Sequence, residues 1–558
     1  MVERVNEHWD VVVIGSGAGG LTAAVALANA GKRVLVLEQH YLPGGWTHSF
    51  SLNGYRFSPG VHYLGQLQTG GAMRRVFEGL GVGGSLEFRE LNPDGYDHVI
   101  AGRQRFDIPR GKDKFIQRLV DRFPDEEQGI RSYFRFISKM DAELQRLSVL
   151  PGPLTTLLLP ILAPRIVFHG LRPLSQMISR YVRDPFLKTI LEARSGDHGM
   201  DPSEVPIAQH VAIEAHYWEG AWYPRGGGAA IPRAFLKRLK EMGGEIRLST
   251  KVAEILVEGT EKSRQAVGVR LDDGSTISAD CVVSNADARV TYHELLDPKS
   301  HSVKLKKRLA ATDYSLSALS LFLATDLDLK KLGLDSGNYW ICREPNVSAT
   351  YRYAQQENLA DAGPYEGVFL TVTTLKDPSK FQQATHTMEA FTFVSYEAFK
   401  QWRESCTEQR PQEYEDFKEV LVDRFFDVLE RVIPDLRDNL RLCELGTPLT
   451  NVHYVNAHHG NLYGTSKSRS QIGPFAFPVK TEINGLYHCG ASTIAHGVMG
   501  VLMSGISAAK AILGCRARAI LLHADQGSIQ LLPSHSVSTL APPQELAIPS
   551  QGSLEGKP

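Results

Sequence analysis

The sequence predicts an α/β chain in which a Rossmann-type nucleotide-binding domain is interrupted by an inserted, mixed α+β domain. Three stretches carry that prediction. "DVVVIGSGAGGLTAAVALANAGKRVLVLEQ" reads as strand, turn, helix, strand. "GGEIRLSTKVAEI" and "AVGVRLDDGSTISADCVVSNAD", between residues 243 and 287, read as a strand followed by a hairpin with Asp273-Gly274 at its turn and a return strand. "INGLYHCGASTIAHGVMGVLMSGISAAKAIL" reads as a strand, a glycine and a helix of small residues. The stretches between them lack nucleotide signatures, so distant parts of the chain build one domain and the rest builds the other. This predicts residues 1–110, 211–290 and 441–515 for the nucleotide domain and 111–210 and 291–440 for the second domain. From residue 523 to 558 the composition turns rich in Ser, Pro and Gln, which predicts a disordered tail.

Length and composition fit this organisation. A chain of 558 residues exceeds one ordinary core and calls for two or three domains. Apolar residues at 42% and charged residues at 22% are in the globular range. A formal net charge of −1 gives no overall field that would attract nucleic acid or acidic lipid. The six cysteines have neither metal-site nor redox-motif spacing, which predicts free thiols in a reducing, cytoplasmic compartment. A strand pattern begins by Trp9, so no signal peptide is expected.

The first stretch dictates its own chemistry. Val11 to Ile14 form a continuous apolar run, as in a strand buried on both faces. Gly15, Gly17 and Gly20 supply G-x-G-x-x-G: a tight turn, close approach of a pyrophosphate, and close helix packing. With Ser16, Ala18 and Gly19 they open a helix whose free N–H groups and positive dipole end suit phosphates. Glu38 ends the next strand, placed with Gln39 to meet a ribose. The fingerprint alone leaves NAD and FAD equally open.

The continuation separates them. "LPGGWTHSF", "GYRFSPGVHYLG", "YPRGGG" and "HCGASTIAHGVMG" resemble the flavoprotein superfamily of phytoene desaturases, carotenoid isomerases and retinol saturases, closest to the retinol-saturase branch. The likeness covers roughly residues 1–65, 210–290 and 445–513, in family order. It implies an amine-oxidase-like FAD fold, with Gly44, Gly45 and Trp46 near the phosphates and ribityl chain and Val252 holding the adenine. Asn285, Gly490, Gly497 and Val498 complete the expected FAD set. Three departures are evident: Trp46 stands where amine oxidases carry Arg, Ala491 where many relatives carry an acid, and Ile494-Ala495 where desaturases carry Pro-Gly. The resemblance implies an oxidoreductase acting on C–C double bonds of a hydrophobic polyene or isoprenoid, by saturation, desaturation or redox-neutral isomerisation. A phytoene-type desaturase, an amine oxidase and a prenyl carrier of the GDP dissociation inhibitor type are the alternatives. No second dinucleotide fingerprint follows a strand, so NAD(P)H is expected only as an external electron donor.

His62 and Tyr63 are the expected catalytic residues at the flavin face, able to relay a proton or orient an alkene. His48, His216 and His496 are secondary candidates, and Arg225 could clamp a phosphate or carboxylate. No metal-ligand pattern and no serine nucleophile elbow occur. The Val149–Pro164 run carries no charge, and its four prolines exclude a regular spanning helix. The segment 149–171 is therefore either a broken core helix or an element that dips into a membrane surface.

Overall fold

A computed structural model describes residues 7–149, 158–260, 263–407 and 409–534. Its first sheet has a parallel centre. His8–Ile14 lies between Thr276–Ser284 and Val34–Leu37, with Glu245–Arg247 beyond the latter and Leu486–His488 against the end of Thr276–Ser284. Val252–Glu258 and Gln265–Leu271 extend it as an antiparallel edge. Residues 11–14 and Val34–Leu37, at the centre of the sheet, are wholly apolar and buried because both sheet faces are covered there.

The helix Ala18–Asn29 follows the first strand, and nearly all of its residues are buried. A helix apolar on every side needs cover on every side. Gly497–Leu513 supplies much of it, and small residues set the distance. A Cβ added to Gly505 would lie 2.3 Å from the Gly19 carbonyl oxygen. The three sequence stretches thus meet in one domain.

A second seven-stranded sheet carries the inserted domain, in the order Leu440–Gly446, Ser317–Thr325, His386–Val394, Gly367–Val372, Asn338–Cys342, Asp97–Ala101, Gln104–Ile108. Two boundaries shift accordingly. The Asp97–Ile108 hairpin and the Leu440–Gly446 strand belong to this sheet, although the sequence reading placed 1–110 and 441–515 in the nucleotide domain. Asp97–Ala101 pairs across more than two hundred residues and Leu440–Gly446 across more than one hundred, and no local motif announces them.

The tail reading is corrected in part. Gln530–Leu532 pairs in parallel with Glu87–Glu90, and Ile529 is buried. A short apolar run, hidden in a polar composition, is enough to tie this segment down. Residues 535–558 lie outside the described residues. So does 150–157, the middle of the candidate membrane element. Its remainder forms two short helices, Leu159–Leu162 and Pro164–His169. Among the described residues no helix is long and apolar enough to cross a membrane, and no cluster of three or more His, Cys, Asp or Glu could hold a metal.

Candidate active site

A cavity of about 320 Å³ runs along the carboxyl ends of the parallel strands and continues beneath the second sheet. Gly15, Gly17, Ala18, Gly19, Gly44, Gly45 and Gly490 line its middle. Glu38, Gln39 and Val252 line one end, and Trp46, Asn285, Gly497 and Val498 also reach its wall. Ser16 and Gly20 stand just behind.

Each glycine has a physical reason. Gly15, Gly44, Gly45 and Gly490 have positive φ, which disfavours any residue with a Cβ. Gly17, Gly19 and Gly20 surround the Asn285 side chain. A Cβ would lie 2.6 Å from its Nδ2 at Gly17 and 2.7 Å from its Oδ1 at Gly19. At Gly20 the obstacle is the Gly15 carbonyl oxygen at 2.3 Å. Asn285, immediately after the strand Thr276–Ser284, is therefore the template on which the loop is shaped.

Glu38 is 8% exposed and ties the loop together. Its Oε2 accepts from the Ser16 backbone N–H at 2.8 Å and the Ser16 hydroxyl at 2.6 Å, and its Oε1 accepts from the His40 N–H at 2.9 Å. Gly44 N–H in turn donates to Ser16 Oγ at 3.0 Å. Ser16 thus couples the carboxylate to the glycine pair. The helix Gly497–Leu513 opens onto the cavity at Gly497 and Val498, offering a positive dipole end. A backbone cradle with no room for side chains, an acid at the strand end and a facing helix N-terminus fit a dinucleotide lying across the strand ends.

The far end has a different character. Phe369, Phe391, Leu462 and Tyr463 line it together with His62, Tyr63, Asp197 and His496. His62 Nε2 lies 3.3 Å from Glu389 Oε2, and its ring packs against those of Phe369 and Phe391 at 5.2 and 5.9 Å. The Ser58 N–H donates to the other Glu389 oxygen at 2.6 Å. Tyr63 donates its hydroxyl to Asp197 Oδ2 at 3.0 Å and stacks on Tyr217 at 4.3 Å. Burial holds the Tyr63 hydroxyl well above its ordinary value.

Burial, aided by the nearby Asp97 charge, pushes the Asp197 carboxyl up to about 7. His496 donates through Nε2 to the Asp197 carbonyl at 2.7 Å, and burial pushes its imidazole down to about 3, so it is neutral. Behind them Arg194, 1% exposed, pairs with Asp97 at 3.1 Å and with Glu214 at 2.9 Å.

The secondary candidates divide. His48 and His496 reach the cavity. His216 does not: it accepts from the Gly65 N–H at 2.9 Å and supports the turn after Tyr63. Arg225 faces Glu87 at 3.4 Å, away from the cavity, so it clamps a protein carboxylate. Sequence reasoning missed Asp197 and Glu389. A lone acid inside the apolar strand "HTMEAFTFV" was a signal for Glu389. "RSGDHG" gave none for Asp197.

Comparison with known proteins agrees with this geometry. The family described as flavin containing amine oxidoreductase matches residues 18–513, and the chain belongs to it. Within it, the chain is 30% identical to an all-trans-retinol 13,14-reductase of Danio rerio, over 92% of this chain and 87% of that one. It is 28% identical to prolycopene isomerase 2, chloroplastic, of an Oncidium hybrid cultivar, over 93% and 86% of the two chains. A solved oxidoreductase from Methanosarcina mazei shares the fold with a TM-score of 0.59 and 19% identity, covering 89% of this chain and 99% of that one. The protein is thus a flavin-dependent oxidoreductase.

Proposed function

We propose that this chain alters C–C double bonds of a retinoid- or carotenoid-like polyene with bound FAD. The observation that carries the reading is one continuous cavity, with a nucleotide cradle in its middle and an aromatic end at which His62 and Tyr63 emerge. Relatives that bear the names of a retinol reductase and a carotenoid isomerase support it. The fingerprint glycines, with Ser16, Glu38, Gln39, Gly44, Gly45, Trp46, Val252, Asn285, Gly490, Gly497 and Val498, would hold the FAD. That group, when bound, supplies hydride transfer.

The residues at the aromatic end would do the rest. Phe369 and Phe391 give an apolar chain flat surfaces and exclude water. A second cavity of about 560 Å³ shares Trp46, His48, Pro59 and Ser320 with the first and adds Phe50, Leu52 and Phe322. It offers room for the remainder of a long polyene. His62, held by Glu389, and Tyr63, held by Asp197, would face the reacting bond. Reducing equivalents would come from NAD(P)H or another external two-electron donor.

A membrane surface fits the same substrate class, since a polyene partitions poorly into water. Ile161 is 76% exposed and Phe168 64%, and Val167 and Leu171 are exposed beside them. Arg165, Arg172 and Arg180 surround neighbouring His169 and, after burial, help depress its proton affinity. Apolar side chains collared by cations suit an anionic lipid interface.

The test of the function is direct. The purified protein, with its flavin oxidised in one series and photoreduced without oxygen in another, is mixed with all-trans-retinol, prolycopene or phytoene, and polyene absorbance is followed with product masses. A changed polyene with at least one substrate is the expected result. A flavin-loaded protein that leaves all three unchanged refutes the reading.

A further inference from the structure

We propose that Asp197 is the proton-transfer residue of this site, giving a proton to one carbon of the double bond when a hydride is added to the other. This rests on the reading of the cavity as a polyene site. Asp197 belongs to the short helix Ala193–His198 of the inserted domain, and its carboxyl opens onto the aromatic end of the cavity. Three contacts fix it. Tyr63 donates to Oδ2 at 3.0 Å, His496 donates to the Asp197 carbonyl at 2.7 Å, and Tyr463 donates to the adjacent Gly196 carbonyl at 3.1 Å. Among the described residues no protein group bonds to Oδ1, so that oxygen is the one left for a ligand.

The neighbours decide what this carboxyl can do. Asp97 and Glu214 place negative charge near it, while Arg194 and the Tyr63 hydrogen bond favour its ionised form. His496, Tyr463 and Tyr217 are neutral around neutral pH, since burial depresses the imidazole and raises both phenols. Burial dominates, and the acid exchanges its proton near pH 7. A carboxylic acid that keeps its proton into the neutral range is a competent general acid. Tyr63 already spends its single hydroxyl proton on Oδ2, which makes it a positioning residue.

The step balances. The alkene gains a hydride from reduced flavin at one carbon and a proton from Asp197 Oδ1 at the other. One π bond is lost, two C–H bonds form, and Asp197 is left as a carboxylate that solvent reprotonates. In the reverse direction the same carboxylate removes the proton.

Asp197→Asn keeps the shape and leaves an amide oxygen to accept from Tyr63. The measurement is oxidation of the photoreduced protein by a polyene, across the pH range, with flavin content checked first. Wild-type turnover should be full below about pH 7 and fall as pH rises, because the acid must be protonated. Asp197→Asn should lose about a hundredfold or more, together with that pH limb. Tyr63→Phe removes a contact that favours the carboxylate, so its limb should move to higher pH. Infrared titration adds a readout independent of turnover: a carboxylic-acid band, absent from Asp197→Asn, should disappear as pH rises through about 7. Asp197→Asn turning over within about threefold of wild type with the limb intact would overturn the proposal. If Asp197→Asn does not fold, an unmoved limb in Tyr63→Phe or a carboxylate at every pH does so. A wild type inert toward all polyenes refutes the function instead, which separates the two failures.

Discussion

Gly17→Ala, combined with Asn285→Ala, tests whether the nucleotide loop is moulded on Asn285. A methyl at position 17 would sit 2.6 Å from Asn285 Nδ2, well inside van der Waals contact. Turning the amide away would give up the contact that its Oδ1 accepts from Cys489 Sγ at 3.5 Å. Overpacking of this kind costs about 1–3 kcal/mol. Where the loop relaxes by leaving its flavin-bound shape, affinity falls roughly 5- to 150-fold. Removing the Asn285 amide vacates the space the new methyl needs, so the double variant should be better than the sum of the singles by about 1 kcal/mol or more. Flavin dissociation, followed by recovery of its fluorescence, gives the affinities, and denaturant unfolding gives the stabilities. Strictly additive losses would refute the argument, and would mean that position 17 clashes with the pyrophosphate and not with Asn285.

Other consequences are open to measurement. His62→Ala should lower polyene turnover through lost positioning, by up to about a hundredfold with flavin still bound, and leave the pH limb assigned to Asp197 in place; near-normal turnover removes His62 from the site's working parts. Replacing Ile161 and Phe168 with Ser should release the protein from anionic liposomes and leave flavin content unchanged; a wild type that ignores liposomes makes the exposed patch ordinary surface. Truncation before Ile529 should destabilise the fold by about 1.5–3 kcal/mol, the worth of one buried Ile side chain, and an unchanged melting temperature would show that the Gln530–Leu532 pairing contributes nothing.

The parts of this molecule legible in the sequence are those where backbone geometry constrains residue type. Gly15 needs positive φ, Gly20 has a carbonyl where its Cβ would be, and Glu38 must end a strand to reach Ser16. Such demands leave marks within a few residues. The second sheet leaves none, because Asp97–Ala101 pairs with Asn338–Cys342 across more than two hundred residues of chain. Proximity to a motif also misleads. Arg225 and His216 flank or follow motif residues, yet one turns to Glu87 and the other to the Gly65 N–H. Which face a side chain takes is a tertiary fact.

His62 and Tyr63 show how such facts make a site. They are adjacent in the chain, with His62 at a bend. Each meets an acid from a different element: Glu389 from the interior strand His386–Val394 of the second sheet, and Asp197 from the short helix Ala193–His198. The two carboxyls have unlike company. Glu389 lies near two buried lysines: burial lowers the proton affinity of Lys380 and brings that of Lys376 down to about 7, while Glu389 acts to raise both. Asp197 has burial and the Asp97 charge against its ionisation. Glu389 accepts from the Ser58 N–H and stands against His62, so it anchors that side of the cavity. Asp197 accepts from Tyr63 through one oxygen and lines the cavity, so proton exchange near neutral pH falls to the Tyr63 side.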